Sequence, residues 1–244
     1  MKISVASKRF VVFTIVLEVL VIGSALLRAF LLNVNAKRYF DDQGYVSWFS
    51  FLQILFAAFL AWKIYKSRKS DLVINNSNQS GNYNFWAIIS FGFLFLGLDE
   101  MLKIHENLDL FIHDFFQIKE TATTDRIDSL IVLIYALFGV GVLYWAKSEL
   151  RKFSQAFPLF GIAISLTFAM IFLDLLTDTT ELFDWLITND SIAYIVYRSL
   201  SIVEECCKIF AEGMFIIAFY CCLQISQKRK YFSREFIKEK SFNR

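Results

Sequence analysis

Six windows of predominantly apolar residues, each about as long as a bilayer is thick, recur along this 244-residue chain. A helix needs about 20 such residues to cross the hydrocarbon core. The windows run from Phe10 to Leu32, Trp48 to Tyr65, Phe85 to His105, Ile127 to Ala146, Phe157 to Thr177 and Ser199 to Leu223. Each is closed off by a polar or charged stretch. Hydrophobic residues make up 57% of the chain, against roughly 45–50% in soluble globular domains, so lipid is the expected solvent. A single Pro leaves little to break long helices. The expected fold is an all-α, polytopic membrane helix bundle of six transmembrane helices. It occupies residues 1–227, with a basic cytoplasmic tail at 228–244.

Positive charge sets the expected orientation. Lys2, Lys8 and Arg9 precede the first window; Lys63, Lys66, Arg68 and Lys69 follow the second; Lys147, Arg151 and Lys152 follow the fourth. The tail adds Lys228, Arg229, Lys230, Arg234, Lys238, Lys240 and Arg244. The opposite side carries only Lys37, Arg38, Lys119, Arg126 and Arg198. If every window crosses, the basic stretches share one side, which places both termini in the cytoplasm. Trp62, Trp86 and Trp145 then fall at inner ends, and Trp48 and Trp185 at outer ends, as an aromatic belt does. The expected location is a plasma or bacterial inner membrane. The expected partners are the bilayer and, for the tail, anionic lipid headgroups at roughly 1 kcal/mol per basic residue near the surface. Nothing suggests a nucleic-acid partner.

Glu18 inside the first apolar run argues against a cleaved signal peptide. Asn107 to Ile118, with Leu108, Leu110, Phe111, Phe115 and Phe116 among Asp109, His113 and Asp114, suits a short helix on the outer surface. His113 is expected at the surface. The adjacent pairs Cys206–Cys207 and Cys221–Cys222 read as small apolar helix residues, because neighbours on a helix point about 100° apart.

The most informative residues are ionisable ones inside the windows. Each costs roughly 2.5–3.5 kcal/mol near a helix centre, so each must face protein or a wet cavity. In the third window Asp99, Lys103 and Glu106 share one face by their spacing, flanked by Glu100 and His105. The fifth ends with Asp174, Asp178 and Glu181 at the same spacing. The sixth carries Arg198, Ser201, Glu205, Lys208 and Glu212 along one stripe, with Glu204 beside it. Alternating direction brings all three clusters to the outer half of the bundle, level with Arg28. Glu18 and Glu212 fall deeper. Carboxylates crowded in low dielectric need protons, basic partners or a bound cation, and the acids outnumber Arg28, Lys103, Arg198 and Lys208.

Three readings follow. The first is a divalent cation site built from Asp99, Glu100, His105, Glu106, Asp174, Asp178, Glu204 and Glu205, whose oxygen-rich ligands suit Ca²⁺, Mn²⁺ or Fe. Such a site could activate water in a metal-dependent membrane hydrolase. The second is proton or cation translocation or sensing, with Glu18, Arg28, Lys103, Arg198, Lys208 and Glu212 as path or counter-ions. The third is a structural set of interhelical ion pairs. The string Leu98-Asp99-Glu100 with His105-Glu106, followed by the later Glu204-Glu205, is similar to bacterial membrane proteins at a few positions, a likeness that implies no activity. The chain does not match ceramidase-like hydrolases, which use several His where this sequence has two, nor serine-based intramembrane hydrolases.

Overall fold

A computed structural model describes residues 5–40, 44–75, 82–117, 127–177 and 189–242. Among them there are helices and no strands. In chain order they are α1 (Val5–Leu32), the short α2 (Lys37–Phe40), α3 (Tyr45–Asn75), α4 (Asn84–Leu102), α5 (Ile104–Phe116), α6 (Ile127–Trp145), α7 (Lys147–Leu150), a 3₁₀ stretch (Arg151–Ala156), α8 (Phe157–Thr177) and α9 (Asp190–Phe242). Six helical segments, one within or around each expected window, are long and apolar enough to cross a membrane. Many of their large apolar side chains face outward, among them Phe30, Phe91, Phe138 and Phe172. A solvent as apolar as the core would allow that pattern.

The helices outrun several windows. α3 continues through its basic segment to Asn75, and α9 starts before Ser199 and continues through the basic tail. No Pro or Gly intervenes in either extension, so the backbone has no reason to stop. At 53 residues, α9 is roughly 80 Å long, far more than a hydrocarbon core of about 30 Å.

α9 is the axis of the bundle and packs against α3, α8 and α1. Close approach to α3 is permitted by Ala57, Ala58 and Ala61, all buried; small residues let helix backbones come together where apolar solvent supplies no driving force. One core cluster joins Ala57, Ala61 and Ile64 with Phe85, Trp86, Phe153, Phe160 and Phe219. Trp86 is therefore not a belt residue: it is fully buried, set edge-on to Phe153 and Phe219. The second cluster, Ile22, Ala25, Phe40, Val46 and Ile209, closes the other end around α2. The four cysteines are unpaired thiols.

The end of the bundle near Phe153 is tied by charge. Arg68 on α3 donates from Nε to Glu149 on α7 at 2.7 Å and from Nη1 to Asp71 at 3.1 Å. Lys152 donates to the other Glu149 oxygen at 2.5 Å. Ser226 on α9 bonds Ser67 at 2.8 Å, and Arg229 reaches the Lys152 carbonyl. The α3–α4 side, the α6–α8 connection and the lower part of α9 thus meet at one end. Arg68, one of the basic residues that follow the second window, is buried. Its sequence neighbours gave no sign of the Glu149 partner, which is 81 positions away.

Candidate functional site

At the opposite end α4 stops where Lys103 turns left-handed, with φ 51° and ψ 48°. Neither Gly nor Pro makes this turn, so side chains must. Asp99 Oδ1 accepts the backbone N–H of His105 at 2.9 Å, and Oδ2 meets His105 Nδ1 at 2.8 Å. Asn107 Nδ2 donates to the carbonyls of Leu102 and Lys103. Asp99 thus caps α5 and orients an imidazole in one stroke. The shared face expected for Asp99, Lys103 and Glu106 does not form, because the helix breaks between them. Glu106 pairs instead with Lys103 at 3.1 Å, at a half-exposed rim.

α5 lies across this end with Leu110, Phe111, Phe115 and Phe116 exposed. His113, expected at the surface, is buried; its Nδ1 meets Asp109 at 3.0 Å. The amphipathic helix turns that stripe against α6.

Between α4, α6, α8 and α9 lies a cavity of about 410 Å³. Its polar wall contains Asp99, Glu100, Glu106, Asp128, Asp174, Glu204, Glu205 and Glu212, with Lys103, Lys208 and His105 as the basic side chains. Acids from the third, fifth and sixth apolar windows therefore line one space. Lys208 is the main internal counter-ion, 2.8 Å from Glu100 and 3.2 Å from Glu205. Ser129 donates to Asp174 at 2.8 Å, and Thr177 to Glu204 at 3.1 Å. Glu212 accepts from Ser50 at 2.7 Å, while its Oε2 is buried without a hydrogen-bond partner.

Not every expected residue reaches the cavity. Arg28 lies over the Tyr39 ring, and Arg198 over Tyr194. Glu18 sits behind it, buried on α1, accepting from Gln53 at 2.9 Å. Gln53 and Ser50 are three residues apart on one face of α3, so Glu18 and Glu212 bond neighbouring positions of the same helix. Asp178 and Glu181 lie outside the described residues. Among the described residues no group of three or more His, Cys, Asp or Glu side chains is placed to hold a metal ion together. Sequence reasoning missed Asp128 and Ser129, which open α6 and read as the mere flank of an apolar window.

His105 titrates above its ordinary value of 6.5, chiefly because Asp99 accepts its proton-bearing nitrogen, with burial opposing and Asp99, Glu106 and Asp128 adding attraction. The Asp–His arrangement fixes the ring and leaves Nε2 as the nitrogen able to meet a guest.

The architecture is thus a bundle with six long apolar helices, four of which enclose most of an acidic cavity. A family model described as a domain of unknown function (DUF8692) matches residues 10–223, and the chain belongs to that family. No curated protein and no solved structure matches it.

Proposed function

We propose that this chain is an integral membrane protein with six spans and cytoplasmic termini, whose acidic cavity in the outer half of the bilayer binds a cation. The observation that carries the reading is charge imbalance in one cavity: eight carboxylates against two lysines and one histidine. Serine and threonine hydroxyls stabilise some of the acids but bring no charge. A cation entering such a site supplies what the protein leaves short, and low-dielectric walls magnify the attraction. The orientation is supported by the basic residues gathered near the Arg68–Glu149 end and along α9, the side that the positive-inside rule makes cytoplasmic.

Two measurements test this. Reporter fusions after Arg244 and within the 76–81 connection should both report the cytoplasm; a translocated reporter at either place would reverse the orientation. Purified protein in nanodiscs should gain thermal stability with added cations, organic or divalent, and lose the response in Asp174→Asn and Glu204→Gln. An unchanged response in both variants would remove the cavity as the site.

A second reading rests on the Asp99–His105 pair. A carboxylate-oriented imidazole is a common support for a metal or a general base, and it would make the cavity a hydrolytic site. His105→Ala abolishing a measured hydrolysis of lipid in reconstituted vesicles would favour it; hydrolysis equal to the parent would exclude it.

A further inference from the structure

We propose that the cation is the protonated amine of a single-chain amphiphile whose tail runs down the cavity between α6 and α9. This rests on the cation-binding reading above and names the ligand class. The first ground is how the cavity changes with depth. Along α9 its lining passes from Glu204 and Glu205 through Lys208 and Glu212 to Phe215 and Phe219. Glu204 to Phe219 is fifteen residues, or about 22 Å of helix. Asp128 to Leu143 on α6 covers the same length, beginning polar and ending apolar. An isolated metal ion needs only the upper end. A long, one-ended site matches a molecule with one charged and one apolar end.

The second ground is that the lower part is open rather than merely badly packed. Gly139 on α6 lines the cavity, and outside its own helix backbone no heavy atom lies within 4 Å of where its side chain would begin. Only Ser129 and Ile131 of α6 are buried. The cavity side of α6 is therefore unfilled around Gly139, which leaves room there for an alkyl chain.

The third ground marks the junction. Glu212 lines the cavity where the polar wall gives way to phenylalanine, it is 7% exposed, and its Oε2 has no hydrogen-bond partner. A buried carboxylate oxygen without a donor carries a cost that a ligand N–H relieves. An ammonium brings up to three donors, and the cavity is rich in acceptors. A phosphate or carboxylate head would instead be repelled by most of the wall.

The test is photolabelling of the full chain in phosphatidylcholine nanodiscs with a long-chain primary amine carrying a diazirine in its tail. Label should map to peptides containing Phe93, Phe215 or Phe219. Hexadecylamine should compete; hexadecanol and butylamine at equal concentration should not. Glu204→Gln should weaken binding by on the order of tenfold or more, as loss of a desolvated charge partner does. Gly139→Leu should abolish labelling at unchanged thermal stability, since leucine is a better helix former than glycine and enters open space. Hexadecanol competing as well as the amine would overturn the charge recognition, and with it the cation-binding reading. Butylamine or Mn²⁺ competing as well as hexadecylamine, with Gly139→Leu still binding them, would overturn the amphiphile and leave the cation site intact. No saturable labelling in the parent would overturn the proposal.

Discussion

At the scale of single residues, Asp99 has the largest influence relative to its size. One oxygen caps a helix and the other charges a histidine. His105 has a folded-state pKa above the ordinary 6.5, so the protonated ring stabilises the fold fully below that pH. The contribution is lost as pH rises through the raised value. In Asp99→Asn the largest cause disappears, and the His105 midpoint, followed by NMR of the imidazole protons, should fall. The decline of thermal stability above pH 6.5 should flatten with it; an unmoved midpoint would show that Asp99 is not the cause. Gly213 is the other decisive position. A Cβ there would land on the Glu18 carboxylate, and Glu18 is itself buried and held by Gln53. Gly213→Ala is expected to cost about 1–3 kcal/mol, the usual range for overpacking. Glu18→Ala in the same chain should recover part of that loss. Thermal unfolding of the two single variants and the double variant decides; additive losses would mean the two sites do not meet.

At the scale of elements, the break between α4 and α5 shows where the sequence stops being legible. Apolar windows of sufficient length exposed the long helices, and the acids inside them pointed to a shared region, because both patterns follow from residue type and period alone. The break at Lys103 follows from neither. It depends on a carboxylate reaching forward six positions to a backbone N–H, inside a run with no Gly or Pro. Arg28 and Arg198 went astray for a related reason. An arginine near a helix end can turn either to a carboxylate or to an aromatic face, and these two lie over Tyr39 and Tyr194. The left-handed Lys103 carries strain of roughly 1–2 kcal/mol, which glycine avoids. Its ion pair with Glu106 is half-exposed and returns little. Lys103→Gly is thus expected to leave stability equal or raise it by up to about 1 kcal/mol, read as an upward shift in unfolding temperature. A clear loss would mean that the lysine is held by more than its backbone turn.

At the scale of the whole molecule, the bundle carries an acidic cavity towards one end and a buried ion network at the other. The cavity end has acids in excess of basic side chains. The far end has aromatic packing around Trp86 and a buried ion network that ties the end of α3 to the α6–α8 connection. An open end for a ligand requires that the helices be registered elsewhere, and Arg68 with Glu149 supplies that registration. The Glu149 side chain has no exposure and that of Arg68 only 5%, so the pair has given up its hydration and depends on its geometry. Removing one member leaves a buried charge with too few partners, a loss of about 3–5 kcal/mol. Glu149→Ala should therefore unfold well below the parent protein, and Asp71, 3.1 Å from Arg68, should offset only part of the loss. Replacing both members, as Arg68→Met with Glu149→Leu, removes the unpaired charge along with the bond, and such exchanges are often neutral. The double variant is expected to be more stable than Glu149→Ala alone. If it also retains the cation response of the parent, the two ends act independently; if the response is lost while stability returns, the ion network sets the cavity's shape from the opposite side of the bundle.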